Sequence, residues 1–107
     1  MKVENLLGLA RRAGRLAAGT GPAERSAARR EAKALVVAQD AAPRVHRHAR
    51  RYAREYGIPL FEWGTKALLG AAIGKGEVGI VAILDERFAL ALKNVLGDSV
   101  EHEKGLR

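Results

Sequence analysis

A glycine turn with arginines on both sides of it in the chain is the feature best suited to binding. Gly19-Thr20-Gly21 precedes a segment with helical periodicity, and threonine is a residue type that caps helix N-termini. Free backbone N–H groups and the helix dipole make such a helix start an anion-binding point. Six arginines flank the turn in sequence: Arg11, Arg12, Arg15, Arg25, Arg29 and Arg30. The turn is therefore predicted to bind a phosphate or another anion.

A second basic segment covers residues 43–57, where arginines recur at helical spacing opposite a face of alanine, valine and tyrosine. The arginines are Arg44, Arg47, Arg50, Arg51 and Arg54. Such a stripe could follow the phosphates of a nucleic acid. It is equally typical of an exposed helix face in an arginine-rich protein, and the sequence leaves both interpretations open.

The chain contains residue patterns that resemble enzyme motifs, but the predicted helices and strands around them do not match those motifs. Residues 74–79 spell G-x-G-x-x-G, yet they follow a predicted helix and precede a predicted strand, the reverse of a dinucleotide-binding motif. His46 and His48 lie two apart on a predicted helix and diverge by about 200°, so they cannot share a metal. There is no cysteine for thiol chemistry or a zinc finger, and no nucleophile–base pair is recognisable. Neither an enzyme, a cofactor nor a metal is expected.

The elements that must position these residues alternate along the chain. Helices are predicted over 3–13, from Thr20 to about 32, over 43–57 and 66–73, and from Asp85 or Glu86 to 96. Strands are predicted over 16–18, 34–38, 58–63 and 78–84, with Pro59 placing the third near an edge or at a strand start. This pattern predicts the α/β class, as a three-layer α/β/α sandwich with a small four-stranded mixed sheet. Residues 1–97 are expected to form one domain, followed by a polar tail over 98–107.

Charge is distributed unevenly over the 107 residues, whose net charge is +7 and pI about 10.4. Residues 1–56 hold thirteen basic and five acidic side chains, whereas residues 57–107 are nearly balanced. This asymmetry favours a polyanionic partner such as RNA or DNA, although a merely solvated basic surface remains the alternative. No apolar run approaches the roughly 20 residues of a membrane span, and no signal peptide is recognisable, so a soluble, cytoplasmic protein is expected.

Several segments resemble the bacterial YlxQ proteins, of the kink-turn-binding ribosomal superfamily (the L-seven-Ae and L-thirty-e type). The segments are Leu7-Gly8-Leu9-Ala10-Arg11-Arg12-Ala13-Gly14-Arg15-Leu16, Gly64-Thr65-Lys66 with Leu69-Gly70, Ile73-Gly74-Lys75 and Val81-Ala82-Ile83. The resemblance covers roughly residues 3–96 in order. It implies the same α/β/α sandwich and a function in binding kinked RNA.

The superfamily builds its RNA site from two loops, and the resemblance places them here at residues 19–25 and 74–79. In the first loop Gly19 matches and Arg25 replaces a lysine, but Gly21 and Pro22 stand where relatives have the Asn-Glu pair that reads sheared G·A pairs. Glycine and proline offer no side chain to base edges, so affinity is expected to survive better than specificity. In the second loop Val78 is the apolar residue best suited to pack on an extruded nucleotide.

The resemblance also matches Lys66 to a lysine that approaches the RNA backbone; the alternative is an exposed lysine in the first turn of a helix. The leading hypothesis is a non-catalytic, ribosome-associated protein that binds kinked or bent RNA, in ribosomal or structured leader RNA, as a monomer. The runner-up is a protein–protein adapter on the same fold, and a nucleotide enzyme comes third. The residues predicted to bind RNA are Gly19, Thr20, Gly21, Arg25, Lys66, Lys75, Glu77, Val78, Arg15 and Arg29.

Overall fold

The computed structural model describes residues 1–98, which form five helices and four strands. The helices are α1 (Val3–Arg12), α2 (Thr20–Ala28), α3 (Pro43–Tyr56), α4 (Lys66–Ala72) and α5 (Glu86–Leu96). The strands are β1 (Leu16–Ala18), β2 (Ala34–Val37), β3 (Leu60–Glu62) and β4 (Ile80–Ile83). Helices and strands alternate as the sequence predicts. Apart from Asp98, the predicted polar tail lies outside the described residues.

The strands form one mixed sheet in the order β1-β4-β2-β3. β4 is antiparallel to both β1 and β2, whereas β2 and β3 are parallel and are connected through α3. Val81 on β4 stands opposite both Ala18 on β1 and Val36 on β2. β3, which follows Pro59, is an edge strand, as a proline at that position requires. The predicted mixed sheet is confirmed.

Helices cover the sheet in two groups, which produces the predicted α/β/α sandwich. α2 and α3 pack against each other and against the inner strands, while α1 contacts both α4 and α5 on the other side. The two central strands, β2 and β4, are buried along their whole length, as their uninterrupted apolar sequences indicate. Burial of these aliphatic strands between two helical layers provides the hydrophobic stabilisation that holds the ends of the sheet in place.

Three helix ends follow directly from the local sequence. The Thr65 hydroxyl accepts a hydrogen bond from the Leu68 N–H at 3.1 Å and caps α4. The Asp85 carboxylate accepts one from the Arg87 N–H at 2.8 Å and caps α5. α3 ends at Gly57, whose φ of +64° is the left-handed conformation that glycine adopts most readily.

The ends of α2 differ from the prediction. Thr20 was expected to cap this helix, but it is already helical, and the flanking residue is Gly19, with no side-chain cap. The helix also ends at Ala28 instead of near residue 32. Arg30 adopts a φ of +62°, and the Glu31 N–H turns back to the Ser26 carbonyl at 2.9 Å. The sequence does not predict this helix end, because the residue in the left-handed conformation is an arginine and not the glycine that usually occupies such a position.

The last two strands are shorter than predicted. β3 begins at Leu60 and β4 begins at Ile80, two residues later than expected in each case. Val78 belongs to the preceding loop because its N–H donates to the Lys66 carbonyl at 3.1 Å and not to a neighbouring strand. This departure leaves Val78 in the second of the two predicted binding loops.

Candidate nucleic-acid interface

The two predicted loops meet at one end of the sheet. The Gly19 N–H, just after β1, donates to the Ile80 carbonyl at 2.9 Å. The Gly79 carbonyl accepts a hydrogen bond from the Ala38 N–H, just after β2, at 2.8 Å. The turn over residues 19–21 therefore lies beside the end of the loop over residues 74–79, although about half of the chain or more separates them in sequence. We call this end of the sheet the loop end.

The start of α2 offers backbone donors at the loop end. Gly19 has a φ of +100°, which an L side chain would strain, and it is followed directly by the helix. Pro22 has no N–H, and the Ala23 N–H donates to the Gly19 carbonyl at 3.0 Å. Among residues 1–98, nothing accepts from the amides of Thr20 and Gly21. Two amides at the positive end of a helix dipole can therefore bind an anionic oxygen.

Arg25 adds a cation to this helix start. It lies on α2 just beyond the first turn, and its side chain points back along the helix toward the turn. The Nη1 atom lies 3.4 Å from the position that a Cβ atom on Gly21 would occupy. Arg25 is exposed, so its guanidinium and the two amides are accessible to the same ligand. A phosphate is the group that such a combination of fork-shaped cation and amides binds best.

The second loop is held against α4 by its backbone. The Lys75 N–H donates to the Gly70 carbonyl at 2.8 Å, and the Val78 N–H donates to the Lys66 carbonyl at 3.1 Å. Residues 74–79 thus run back along α4 toward Lys66. Lys75 lies about one helical turn from the loop end, whereas Val78 lies close to the loop end. Val78 is half-buried and contributes to the edge of the core, so its position is fixed by packing.

Lys66, the first residue of α4, lies at the loop end between two acidic residues. Its backbone N–H donates to the Asp40 carboxylate at 2.7 Å. Its Nζ atom lies 3.9 Å from the Glu77 carboxylate of the second loop. The side chains of Lys66 and Glu77 are 37% and 69% exposed, so their ion pair is weakly stabilising and a more highly charged anion can displace the Glu77 carboxylate. Asp40 was not among the predicted site residues, because its contact with Lys66 depends on the arrangement of β2 and α4.

Arg15 and Arg29 lie at the opposite end of the sheet. The Arg15 carbonyl accepts from the Leu84 N–H at 2.9 Å, beyond the far ends of β1 and β4. Arg29 flanks the C-terminal end of α2. A three-residue strand spans about 10 Å and a nine-residue helix about 13 Å, so neither backbone is near the turn. The structure therefore does not bring the backbones of Arg15 and Arg29 to the turn, and their assignment to the RNA site stays a prediction.

The two histidines of α3 contact different groups. His46 lies 3.8 Å from the Glu62 carboxylate, whereas His48 stacks on Tyr52 with ring centroids 5.8 Å apart. The two histidines therefore have separate surroundings. Within residues 1–98, no three His, Asp or Glu side chains are grouped so that they could hold a metal ion. In the same part of the chain, no helix is long and apolar enough to cross a bilayer.

Solved structures share this fold over most of the chain. A protein of unknown function from Bacillus halodurans superposes with a TM-score of 0.84 and 26% identity, over 89% of this chain and 96% of the other. The 15.5kD RNA binding protein of Giardia lamblia superposes with a TM-score of 0.76 at 20% identity, over 89% and 82% of the two chains. At that identity the second similarity concerns the fold alone.

Sequence relatives extend the comparison. The chain is 32% identical to the RNA-binding protein YlxQ of Enterococcus faecium over 95 residues, which are 89% of this chain and 91% of that protein. It is 30% identical to the RNA-binding protein YlxQ of Bacillus subtilis over 85% of this chain and 91% of that protein. These relatives agree with the expectation of a protein that is not an enzyme. The Ribosomal protein L7Ae/L30e/S12e/Gadd45 family matches residues 1–93, and the chain belongs to this family as a YlxQ-like member.

Proposed function

We propose that this protein binds structured RNA at the loop end and prefers RNA with a sharp bend or kink. The observation that carries the proposal is the meeting of the two loops, which is fixed by the backbone hydrogen bond from Gly19 to Ile80 at 2.9 Å. The helix start with Arg25, the half-buried Val78 and the first residue of α4, Lys66, all lie at this end of the sheet. The YlxQ relatives, described as RNA-binding proteins, support the same partner.

Each part of the loop end has a role in this proposal. The Thr20 and Gly21 amides and Arg25 bind phosphates where a bent backbone crowds them. Val78 packs against an unstacked base, since RNA is read mainly by shape and by nucleotides extruded from the helix. Lys66 exchanges Glu77 for a backbone phosphate. Phosphate contacts supply most of the affinity, while the base contact supplies discrimination.

Gly21 and Pro22 set the expected degree of specificity. Neither residue has a side chain that can donate or accept a hydrogen bond at a base edge. Bases near the turn can therefore form hydrogen bonds only with backbone groups of these two residues. We therefore expect the shape of the RNA to matter more than the identity of its paired bases at the bend. The RNA-binding domain in this proposal comprises residues 1–97, acting as a monomer in the cytoplasm, with ribosomal or leader RNA as the partner.

A fluorescent RNA with a kinked internal loop, titrated at two salt concentrations, tests this function. The control is an unkinked duplex of the same length. A binding free energy more favourable for the kinked RNA than for the duplex by more than about 4 kcal/mol would match site-specific recognition. Equal, salt-sensitive affinity for both RNAs would contradict kink recognition. Absence of binding to either RNA would favour a protein–protein adapter on this fold.

A further inference from the structure

The outward face of α3 carries five exposed arginines and forms a continuous basic surface, which we call the α3 surface. Its members are Arg44, Arg47, Arg50, Arg51 and Arg54. Ala49, Tyr52 and Ala53 are buried on the opposite side of the helix. At 100° and 1.5 Å per residue, the five arginines occupy an arc of about 120° and a length of about 15 Å. Glu55 is the acidic residue of this 14-residue helix.

The positive charge of the α3 surface is only partly balanced by the protein itself. Arg51 lies 3.7 Å from Glu24 of α2, and its guanidinium lies 5.3 Å from the centre of the Tyr52 ring. Within the described part of the chain, Arg44, Arg47 and Arg50 have neither a hydrogen bond nor an ion pair from their side chains. Arginines three or four positions apart on a helix repel each other. An external polyanion would relieve this repulsion.

The α3 surface begins at the loop end and leads away from it. A Cβ atom on Gly79 would lie 3.5 Å from Ala41 and 3.6 Å from Val45, so α3 starts next to the second loop. α2 and α3 then run side by side in the same direction. At their far ends, the guanidinium of Arg30 lies 5.8 Å from the centre of the Tyr56 ring. A ligand that leaves the loop end along α2 therefore has arginines of α3 beside it for the length of the helix.

We propose that the α3 surface is a second RNA-binding site, which holds the phosphate backbone of a duplex arm as it leaves the bend. The charge and the residue type favour this partner, because the planar guanidinium forms two hydrogen bonds to phosphate and does not lose its charge. In the other helical layer, exposed apolar side chains on α1, α4 and α5 interrupt the charged ones: Leu9, Leu68, Leu90 and Val95. The inference rests on the proposed function, because it takes the loop end as the site of the bend.

The test compares a triple variant, Arg44→Gln, Arg47→Gln and Arg50→Gln, with a matched control. The control, Lys2→Gln, Arg12→Gln and Lys93→Gln, removes the same charge from exposed positions on the side of α1 and α5. Both are titrated with a kinked RNA carrying one long stem, with the same kink flanked by short stems, and with a long unkinked duplex. Thermal unfolding of each variant establishes that it is folded.

On the long-stem RNA, the triple variant is expected to bind about tenfold more weakly and to show a salt dependence less steep by about three units. It should bind the short-stem RNA like the wild type, and the control variant should retain the affinity of the wild type for the long stem apart from a small general charge effect. The single variant Arg47→Gln should lower the salt dependence by about one unit. Equal losses in the triple variant and the control on the long-stem RNA would overturn the inference.

Failure of the proposed function would look different. In that case kinked and unkinked RNA would bind equally well to the wild-type protein. A loss of duplex affinity confined to the triple variant would still support the α3 surface.

Discussion

Gly70 in α4 and Gly76 in the second loop lie in direct backbone contact. A Cβ atom on Gly70 would be only 1.4 Å from the Gly76 carbonyl oxygen, far inside any allowed separation. The loop can therefore follow α4 only because residue 70 has no side chain. Since the Lys75 N–H bonds to the Gly70 carbonyl at 2.8 Å, this one contact fixes where the loop turns back toward Lys66.

Replacement of Gly70 by alanine is expected to displace the loop over residues 74–79 and to weaken RNA binding. Forcing a methyl group into a packed contact costs roughly 1–3 kcal/mol of the free energy of unfolding. Gly76→Ala is the matched control, because a Cβ atom there meets nothing within 4 Å. Chemical denaturation and RNA titration measure both effects. Equal stability and affinity of the two variants would contradict this account of the contact.

Arg25 lies on α2 and Arg29 directly follows its last residue, and substitutions of these two arginines are expected to differ in effect. Arg25→Ala should weaken the binding of a short-stem kinked RNA and lower its salt dependence by about one unit, as for one lost phosphate contact. Arg29→Ala should leave both quantities near the wild-type values, because Arg29 flanks the far end of α2. Titrations across a salt series give the two slopes. A larger effect of Arg29→Ala would place the RNA at the opposite end of the sheet.

Glu77→Gln is expected to strengthen RNA binding. The change removes the carboxylate that lies 3.9 Å from the Lys66 amine and so leaves that amine available for a phosphate. An exposed ion pair contributes about 0.2–1 kcal/mol, which corresponds to a gain in affinity of up to about fivefold. Glu4→Gln, on α1, removes the same charge away from the loop end. If Glu77→Gln instead lowered the affinity, the carboxylate would itself be contacting the RNA.

The capping residue of α5 predicts a pH dependence of stability. Hydrogen bonds from the Arg87 side chain and backbone lower the pKa of Asp85 from 3.8 to about 2. Because the folded state favours the carboxylate, this contribution to stability is present above pH 3.8 and is lost as the pH falls toward 2. Asp85→Asn should therefore lower the melting temperature at neutral pH, and the difference from the wild type should shrink over this acidic range. If the difference in melting temperature between Asp85→Asn and the wild type stayed constant with pH, the stabilising role of the Asp85 carboxylate would be refuted.

The fold was largely predictable because its signals are local. Short apolar runs alternate with helical periods, and Thr65 and Asp85 are residue types that cap helices by themselves. The stop of α2 was not predictable, because Arg30 takes a left-handed conformation that the Ser26 carbonyl stabilises through Glu31. Val78 extends the apolar pattern of β4, but its hydrogen bond to Lys66 depends on tertiary packing.

The candidate site was predictable only in part, for a geometric reason. Arg15 is only four residues from Gly19 in sequence, yet β1 lies between them and carries the chain from one end of the sheet to the other. Asp40 and Lys66 are distant in sequence but close in the structure. They are 26 residues apart, yet the Lys66 N–H donates a hydrogen bond to the Asp40 carboxylate at 2.7 Å. The resemblance to a family supplied what spacing alone did not, namely that the turn and the second loop belong together.

The position of β4 in the sheet bears on how the protein is made. β4 comes last in sequence among the described strands, yet it lies between β1 and β2 and is the neighbour to which β1 is paired. During synthesis, which delivers the N-terminal segments first, β1 has no strand to pair with until β4 has left the ribosome. The hydrogen bond between Gly19 and Ile80 must also wait for that moment. A nascent chain therefore exposes the unpaired edges of β1 and β2 until β4 emerges, and the two loops can come together only then.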